Sequence, residues 1–164
     1  MKSIALIGMP GCGKTTVGKL LANKLSLHFI DMDNLIEETY QTTIKDLFSV
    51  SEEHFRDRES EICQTLSSKE NVVISTGGGV VKRENNITLL KKNCVVIFID
   101  RDVDDILSDV DFSSRPLLVN NHKENLLRLR DERYELYKNY CDIYVKNDSS
   151  LEKLLDEIVS KLLS

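Results

Sequence analysis

The sequence predicts a doubly wound α/β fold built on a parallel sheet, and three observations carry that expectation. Short apolar runs alternate with longer helical patterns along the chain. The Val- and Ile-rich runs show little polar alternation, as parallel strands covered on both faces require. The first run ends on a glycine-rich turn leading into an amphipathic segment, the order of a βα unit.

Taken in order, residues 4–7, 28–30, 72–74, 95–99 and 143–145 read as strands. Between the first two, Val17, Leu20, Leu21 and Leu25 recur at helical spacing. Residues 51–66 place Phe55, Glu59, Ile62, Cys63 and Leu66 on one helical face, with Arg56 on its edge. From about Lys123 to Tyr140 a further helix is expected, with Leu126, Leu129, Leu136 and Tyr140 in one stripe. The last helix carries Leu151, Leu154, Leu155, Ile158, Val159, Leu162 and Leu163, with Ser149 and Glu152 ahead of it at capping-box spacing. The least periodic stretch, about 109–122, holds Arg115-Pro116 and reads as a long loop of the lid kind.

The chain has 164 residues, 41% of them hydrophobic, which suits one domain over residues 1–164 with a core that needs no disulfide staples. The formal net charge is −5 and no basic run appears, which argues against a nucleic-acid reader. Cys12, Cys63, Cys94 and Cys141 are scattered without metal-ligand spacing, as in a protein whose thiols stay reduced. His28, His54 and His122 show no ligand spacing either. Neither a cleavable leader nor a run of ~20 apolar residues is present, so a cytoplasmic protein is expected.

The chemistry concentrates first in Gly8-Met9-Pro10-Gly11-Cys12-Gly13-Lys14-Thr15, which matches G-x-x-x-x-G-K-[ST]. The glycines let backbone N–H groups close around phosphate, and the following helix adds the positive end of its dipole. Gly11, Cys12, Gly13, Lys14, Thr15 and Thr16 are therefore expected to hold a nucleoside triphosphate. Lys14 would reach the β- and γ-phosphates, and the Thr15 hydroxyl would coordinate Mg²⁺. A chance match in a chain of this length has odds of roughly half a per cent. Cys12 is either a reactive thiol beside Lys14 or a small residue filling a loop position.

Asp31 and Asp33 end the second strand two residues apart, a spacing that sends both carboxylates to one side of the sheet. One acid would serve Mg²⁺ through water and the other would take a proton from an acceptor hydroxyl. Alternatively Asp33 caps a helix starting near Asn34, and the two roles are compatible. Arg56 and Glu59 are helical neighbours, so Arg56 is either aimed at an anion or engaged in a surface pair of the Arg58–Glu61 kind. Arg133 falls within the apolar stripe of its helix and must snorkel or meet an anionic partner, whereas Arg128 and Arg130 lie off the stripe and read as solvated. Gly77, Gly78 and Gly79 directly follow the third strand, where missing Cβ atoms allow backbone close to a bound molecule.

Together these residues resemble shikimate kinase over nearly the whole chain. The resemblance rests on the P-loop, D-x-D at Asp31 and Asp33, F-R-x-x-E from Phe55 to Glu59, G-G-G at Gly77–Gly79, R-P-L-L from Arg115 and R-x-x-x-Y from Arg133 to Tyr137. It implies a three-layer α/β/α fold of the nucleoside-monophosphate-kinase type with a five-stranded parallel sheet. The implied reaction moves the γ-phosphoryl of ATP to the 3-hydroxyl of shikimate, with Mg²⁺ as cofactor; a monomer is expected. By the same resemblance, Asp33 holds the acceptor hydroxyl, Asp31 sits near Mg²⁺, and Arg56 and Arg133 clamp the shikimate carboxylate with Glu59 orienting Arg56. Gly77, Gly78 and Gly79 pack against the substrate, and Arg115 comes down on the phosphates.

Two departures stand out. Ser108 occupies the place of an arginine that stacks on adenine in the family, and the segment Asn147-Asp148-Ser149-Ser150 lacks a proline found there. Weaker adenine contacts, visible in KM for ATP, are expected. The rival within enzymes is another small-molecule kinase, such as a gluconate or nucleotide kinase, and F-R-x-x-E with R-P-L-L argues against it. A nucleotide switch would carry N-K-x-D, whereas Lys146-Asn147-Asp148 has the wrong order and spacing.

Overall fold

The computed structural model describes residues 2–109 and 118–164. Five strands form one parallel sheet: β1 (Ser3–Ile7), β2 (His28–Asp31), β3 (Val72–Ser75), β4 (Cys94–Asp100) and β5 (Ile143–Lys146), in the order β2-β3-β1-β4-β5. All of β1 and β3 is buried and β4 nearly so, which explains their lack of polar alternation. Ile4 lies opposite both Val73 and Val95, so β1 is the central strand. The chain leaves β1 for β2 beyond β3 and later returns to β4 on the other side. The carboxyl end of β1 is thus the switch point, where doubly wound sheets open a ligand crevice.

The helices are α1 (Lys14–Leu25), α2 (Met32–Tyr40), α3 (Ile44–Val50), α4 (Glu52–Leu66), α5 (Glu84–Lys91), α6 (Val103–Ser108), α7 (Leu118–Tyr140) and α8 (Leu151–Leu163), with a 3₁₀ turn at Val80–Lys82. The α4 face is as the spacing predicts, with Phe55, Glu59, Ile62, Cys63 and Leu66 all buried. On α1 the inward residues are Val17, Gly18, Leu21 and Ala22, while Leu20 turns outward. On α8, Leu154 and Ile158 are buried, but Leu151 and Leu163 are exposed.

Four boundary expectations need correction. The helix after β2 starts at Met32, not near Asn34, and its cap is Asp31, whose side chain accepts from the Asn34 amide at 3.2 Å. Asp33 therefore lies in the first helical turn, and strand periodicity does not set its direction. The cap of α8 is Ser150, bonded to the Lys153 amide at 3.2 Å, rather than Ser149 with Glu152. Helix α7 begins at Leu118, so 118–122 are helical and not loop. The rest of that expected lid, with Arg115, lies outside the described residues except for Asp109, which ends α6 as a turn.

Arg130 is also not simply solvated. It pairs at 3.1 Å with Asp100, a buried acid that further accepts from the Tyr144 hydroxyl at 2.7 Å. The last residue of β4 thereby ties α7 and β5 together. Arg58 and Glu61 do form the expected surface pair, at 3.0 Å. All four cysteines are free thiols.

Candidate active site

The loop between β1 and α1 folds as a phosphate cradle would. Gly13 ends it at φ 108°, a left-handed conformation that side chains disfavour, and so lets α1 start at once. No side chain caps α1 and its first turn holds no acid, whereas the N-caps of α2, α3, α4 and α8 each accept a backbone N–H. The amides at the head of α1 are left for an anion to satisfy. Lys14 is buried, with its ammonium donating to the Gly8 and Met9 carbonyls at 2.7 and 3.0 Å. The Cys12 side chain is wholly buried, 3.8 Å from that ammonium, as expected of a residue filling the loop.

A cleft of about 660 Å³ opens above this loop. Its floor is Gly11, Gly13, Lys14, Thr15 and Thr16. One end is walled by Asp31, Asp33 and Ser75–Gly78, and the other by Arg101, Asp109, Asn147, Ser149 and Leu151. Phosphates seated on α1 would therefore lie between two distinct subsites.

At the first end, the glycines after β3 are surrounded by the charges singled out in the sequence. A Cβ on Gly77 would lie 3.2 Å from both Asp33 Oδ1 and Glu59 Oε2. On Gly79 it would come within 2.4–2.6 Å of the Arg56 guanidinium, an overlap that only glycine avoids. The Arg56 guanidinium donates to Glu59 at 3.0 Å and to Glu52 at 3.3 Å, which fixes its direction. Glu59 is fully buried and Arg133 nearly so. Tyr137 donates to the Gly78 carbonyl at 2.5 Å and holds the triplet from α7. Glu59 Oε2 and Arg133 Nε are both buried without a hydrogen-bond partner. Buried polar atoms in native proteins are nearly always paired, so these two are exceptions, as are Arg58 Nε and Asn86 Oδ1 elsewhere among the described residues.

Electrostatics set the acids apart. Asp33 faces the open cleft, yet desolvation of its carboxyl, then the neighbouring Asp31 charge, push its pKa above the ordinary 3.8, against the pull of Lys14 and Arg56. Burial likewise raises Glu59, with Arg56 opposing. Asp31 is anchored to the start of α2 and faces the same cleft.

The shikimate kinase family model matches residues 10–163. The chain belongs to the shikimate kinase family. The shikimate kinase of Clostridium botulinum (strain Eklund 17B / Type B) is 53% identical over 155 residues, covering 94% of this chain and 93% of that one. The structure of shikimate kinase from Acinetobacter baumannii in complex with shikimate superposes with a TM-score of 0.89 at 32% identity, covering 99% and 93% of the two chains. Shikimate kinase from Aquifex aeolicus superposes at 0.81 with 34% identity, over 98% and 96%.

Of the candidate site residues, Gly11, Gly13, Lys14, Thr15, Thr16, Asp31, Asp33, Gly77 and Gly78 line the cleft; Cys12 is buried within the loop, Arg56, Glu59, Gly79 and Arg133 are not part of the lining, and Arg115 lies outside the described residues. Sequence reasoning missed Arg101 and Asn147. Each directly follows a strand at the crevice end of the sheet, a placement that could have flagged them. Ser108 donates to the Asp105 carbonyl at 2.6 Å and is not part of the cleft wall. Among the described residues no cluster of three or more acids, histidines or cysteines forms a metal cage. Mg²⁺ keeps several waters and binds mainly through one or two protein oxygens plus phosphates. Thr15 Oγ1, 3.4 Å from Ser75 Oγ, and Asp31 supply such oxygens on the cleft wall.

Proposed function

We propose that this chain transfers the γ-phosphoryl group of ATP to the 3-hydroxyl of shikimate. The observation carrying this reading is the convergence of Asp33, Arg56, Glu59 and Arg133 on the Gly77–Gly79 turn, whose Gly77 and Gly78 line the phosphate-loop cleft with Asp33. Two nearly buried arginines suit a carboxylate, and Glu59 pre-aims Arg56. Asp33 lies beside the turn where the acceptor ring would rest, within reach of its hydroxyl. A raised pKa brings Asp33 nearer to a useful proton acceptor, although a loose transition state asks little of a base. Its main work is then to position the hydroxyl in line with the γ-phosphorus.

Lys14 and the head of α1 stabilise charge on the transferred group. Thr15 and Asp31 would hold Mg²⁺, which neutralises charge on the β- and γ-phosphates when bound. Arg115 keeps the role implied by the family resemblance, that of a further cation on the phosphates, from the segment between α6 and α7 of one kinase domain spanning 1–164. Four free thiols suit a reducing compartment, and a monomeric cytoplasmic enzyme is the accompanying reading.

A coupled ADP-release assay with ATP and Mg²⁺, run against shikimate, gluconate, nucleoside monophosphates and no acceptor, tests this. Turnover with shikimate alone, lost in Arg133→Ala, is expected. Turnover with gluconate or a nucleotide instead would overturn the assignment of the arginines while keeping the phosphate site.

A further inference from the structure

The carbonyls of the phosphate loop are held by side chains from three directions. Lys14 takes those of Gly8 and Met9. From the end of β4, Arg101 Nη1 donates to the Gly11 carbonyl at 3.0 Å. From the end of β5, Asn147 Nδ2 donates to the Cys12 carbonyl at 2.9 Å. These last two partners are themselves fixed. Asp109 accepts from Arg101 Nη1 at 2.5 Å, and the Asn147 amide donates to the Asp100 carbonyl at 2.7 Å.

A peptide plane carries its C=O and its N–H in opposite directions. Holding the Cys12 carbonyl on Asn147 therefore fixes the direction of the Gly13 amide, at a residue that lines the cleft. The Gly11–Cys12 plane is pinned at both ends, by Arg101 on its carbonyl and by the Met9 carbonyl on the Cys12 amide, at 3.1 Å. Gly11 at φ 82° and Gly13 at φ 108° have wide conformational freedom, so an unbraced loop would sample other orientations.

We infer that Arg101 and Asn147 are positioning residues that brace the phosphate loop, preorganising its amides for the polyphosphate rather than binding the base. The inference rests on the phosphate-site reading but not on the identity of the acceptor.

The test is titration of the full chain with Mg²⁺–tripolyphosphate and, separately, with adenosine. Arg101→Met removes the guanidinium donor together with its charge, and Asn147→Leu removes the carboxamide donor at similar volume without adding a charge. Each is expected to weaken tripolyphosphate binding about three- to tenfold, the range for one hydrogen bond. KM for ATP should rise in parallel, while adenosine affinity and KM for shikimate stay within about twofold. Arg101→Lys, which keeps a donor, should recover part of the loss, a rescue that a bulk stability defect would not give. Unchanged tripolyphosphate binding in both variants would overturn the brace. So would a loss confined to adenosine, which would make Arg101 a base contact. A wild-type chain that ignored tripolyphosphate would overturn the brace together with the phosphate site, leaving shikimate turnover to be judged by its own assay.

Discussion

At the scale of single residues, the site is held in a state that folding alone would not choose. Asp33 is crowded by Asp31 and by desolvation, and Glu59 is fully buried with one oxygen unpaired. The sign of the resulting pH effect follows from linkage. The folded-state pKa of Asp33 stands above its unfolded value, so its contribution to stability is complete below 3.8 and is lost as pH rises through the raised value. Ionised Asp33 therefore costs stability at neutral pH. Asp33→Asn is expected to melt above the wild type at about pH 8, with that gap closing as pH falls toward about 3. On the proposed role of Asp33 as partner of the acceptor hydroxyl, the same variant should lose at least about a hundredfold in ADP release. Melting curves across that pH range decide the matter. A gap independent of pH would mean that Asp33 bears no electrostatic strain.

Elements place these residues through their ends more than their middles. Helix α1 offers bare amides to the cleft, α2 is capped by a cleft acid, and α8 starts beside the cleft with Ser150 as its cap. Ser150→Ala is expected to lower unfolding free energy by about 1 kcal/mol, whereas Ser149→Ala, which removes no cap, should change it by less than about 0.5 kcal/mol. Urea unfolding of the two variants checks this, and the reverse ranking would restore the capping box at Ser149. Why the cap was misread is physical. Ser149 and Ser150 are adjacent, both stand three residues before a plausible partner, and only the backbone dihedrals at 149–150 choose between them. The same ambiguity applied to Asp31 and Asp33. By contrast, the strand positions and the α4 face were legible, because burial imposes a period that survives in the residue order. The start of α7 was not legible, since Leu118, Val119, Asn120 and Asn121 carry no strong helical signal of their own.

Over the whole molecule, what sequence could not reveal are contacts between distant segments. Arg130 meets Asp100 from 30 positions away, Arg101 meets Gly11 from 90 and Asn147 meets Cys12 from 135. Such pairs have no period and no motif, so they appear only once the sheet order β2-β3-β1-β4-β5 brings the strand ends together. That order also sets the two subsites on opposite sides of the β1 switch point, each with its own wall. The end proposed for the acceptor draws on α2, α4, α7 and the turn after β3, and the end proposed for the nucleotide on β4, β5 and α8. Ligands at the two ends should therefore stabilise the fold through separable sets of residues. A ligand at about a hundred times its Kd adds about 2.7 kcal/mol, which for a chain of this size shifts Tm by about 5–10 °C. Shikimate and a non-hydrolysable ATP analogue, each at that excess, are expected to give shifts of this order. In Arg133→Ala the shikimate shift should vanish at the same concentration while the nucleotide shift persists, because Arg133 lies beside Gly78 in the turn after β3. Loss of both shifts would show that the two ends are one cooperative unit rather than two independent subsites.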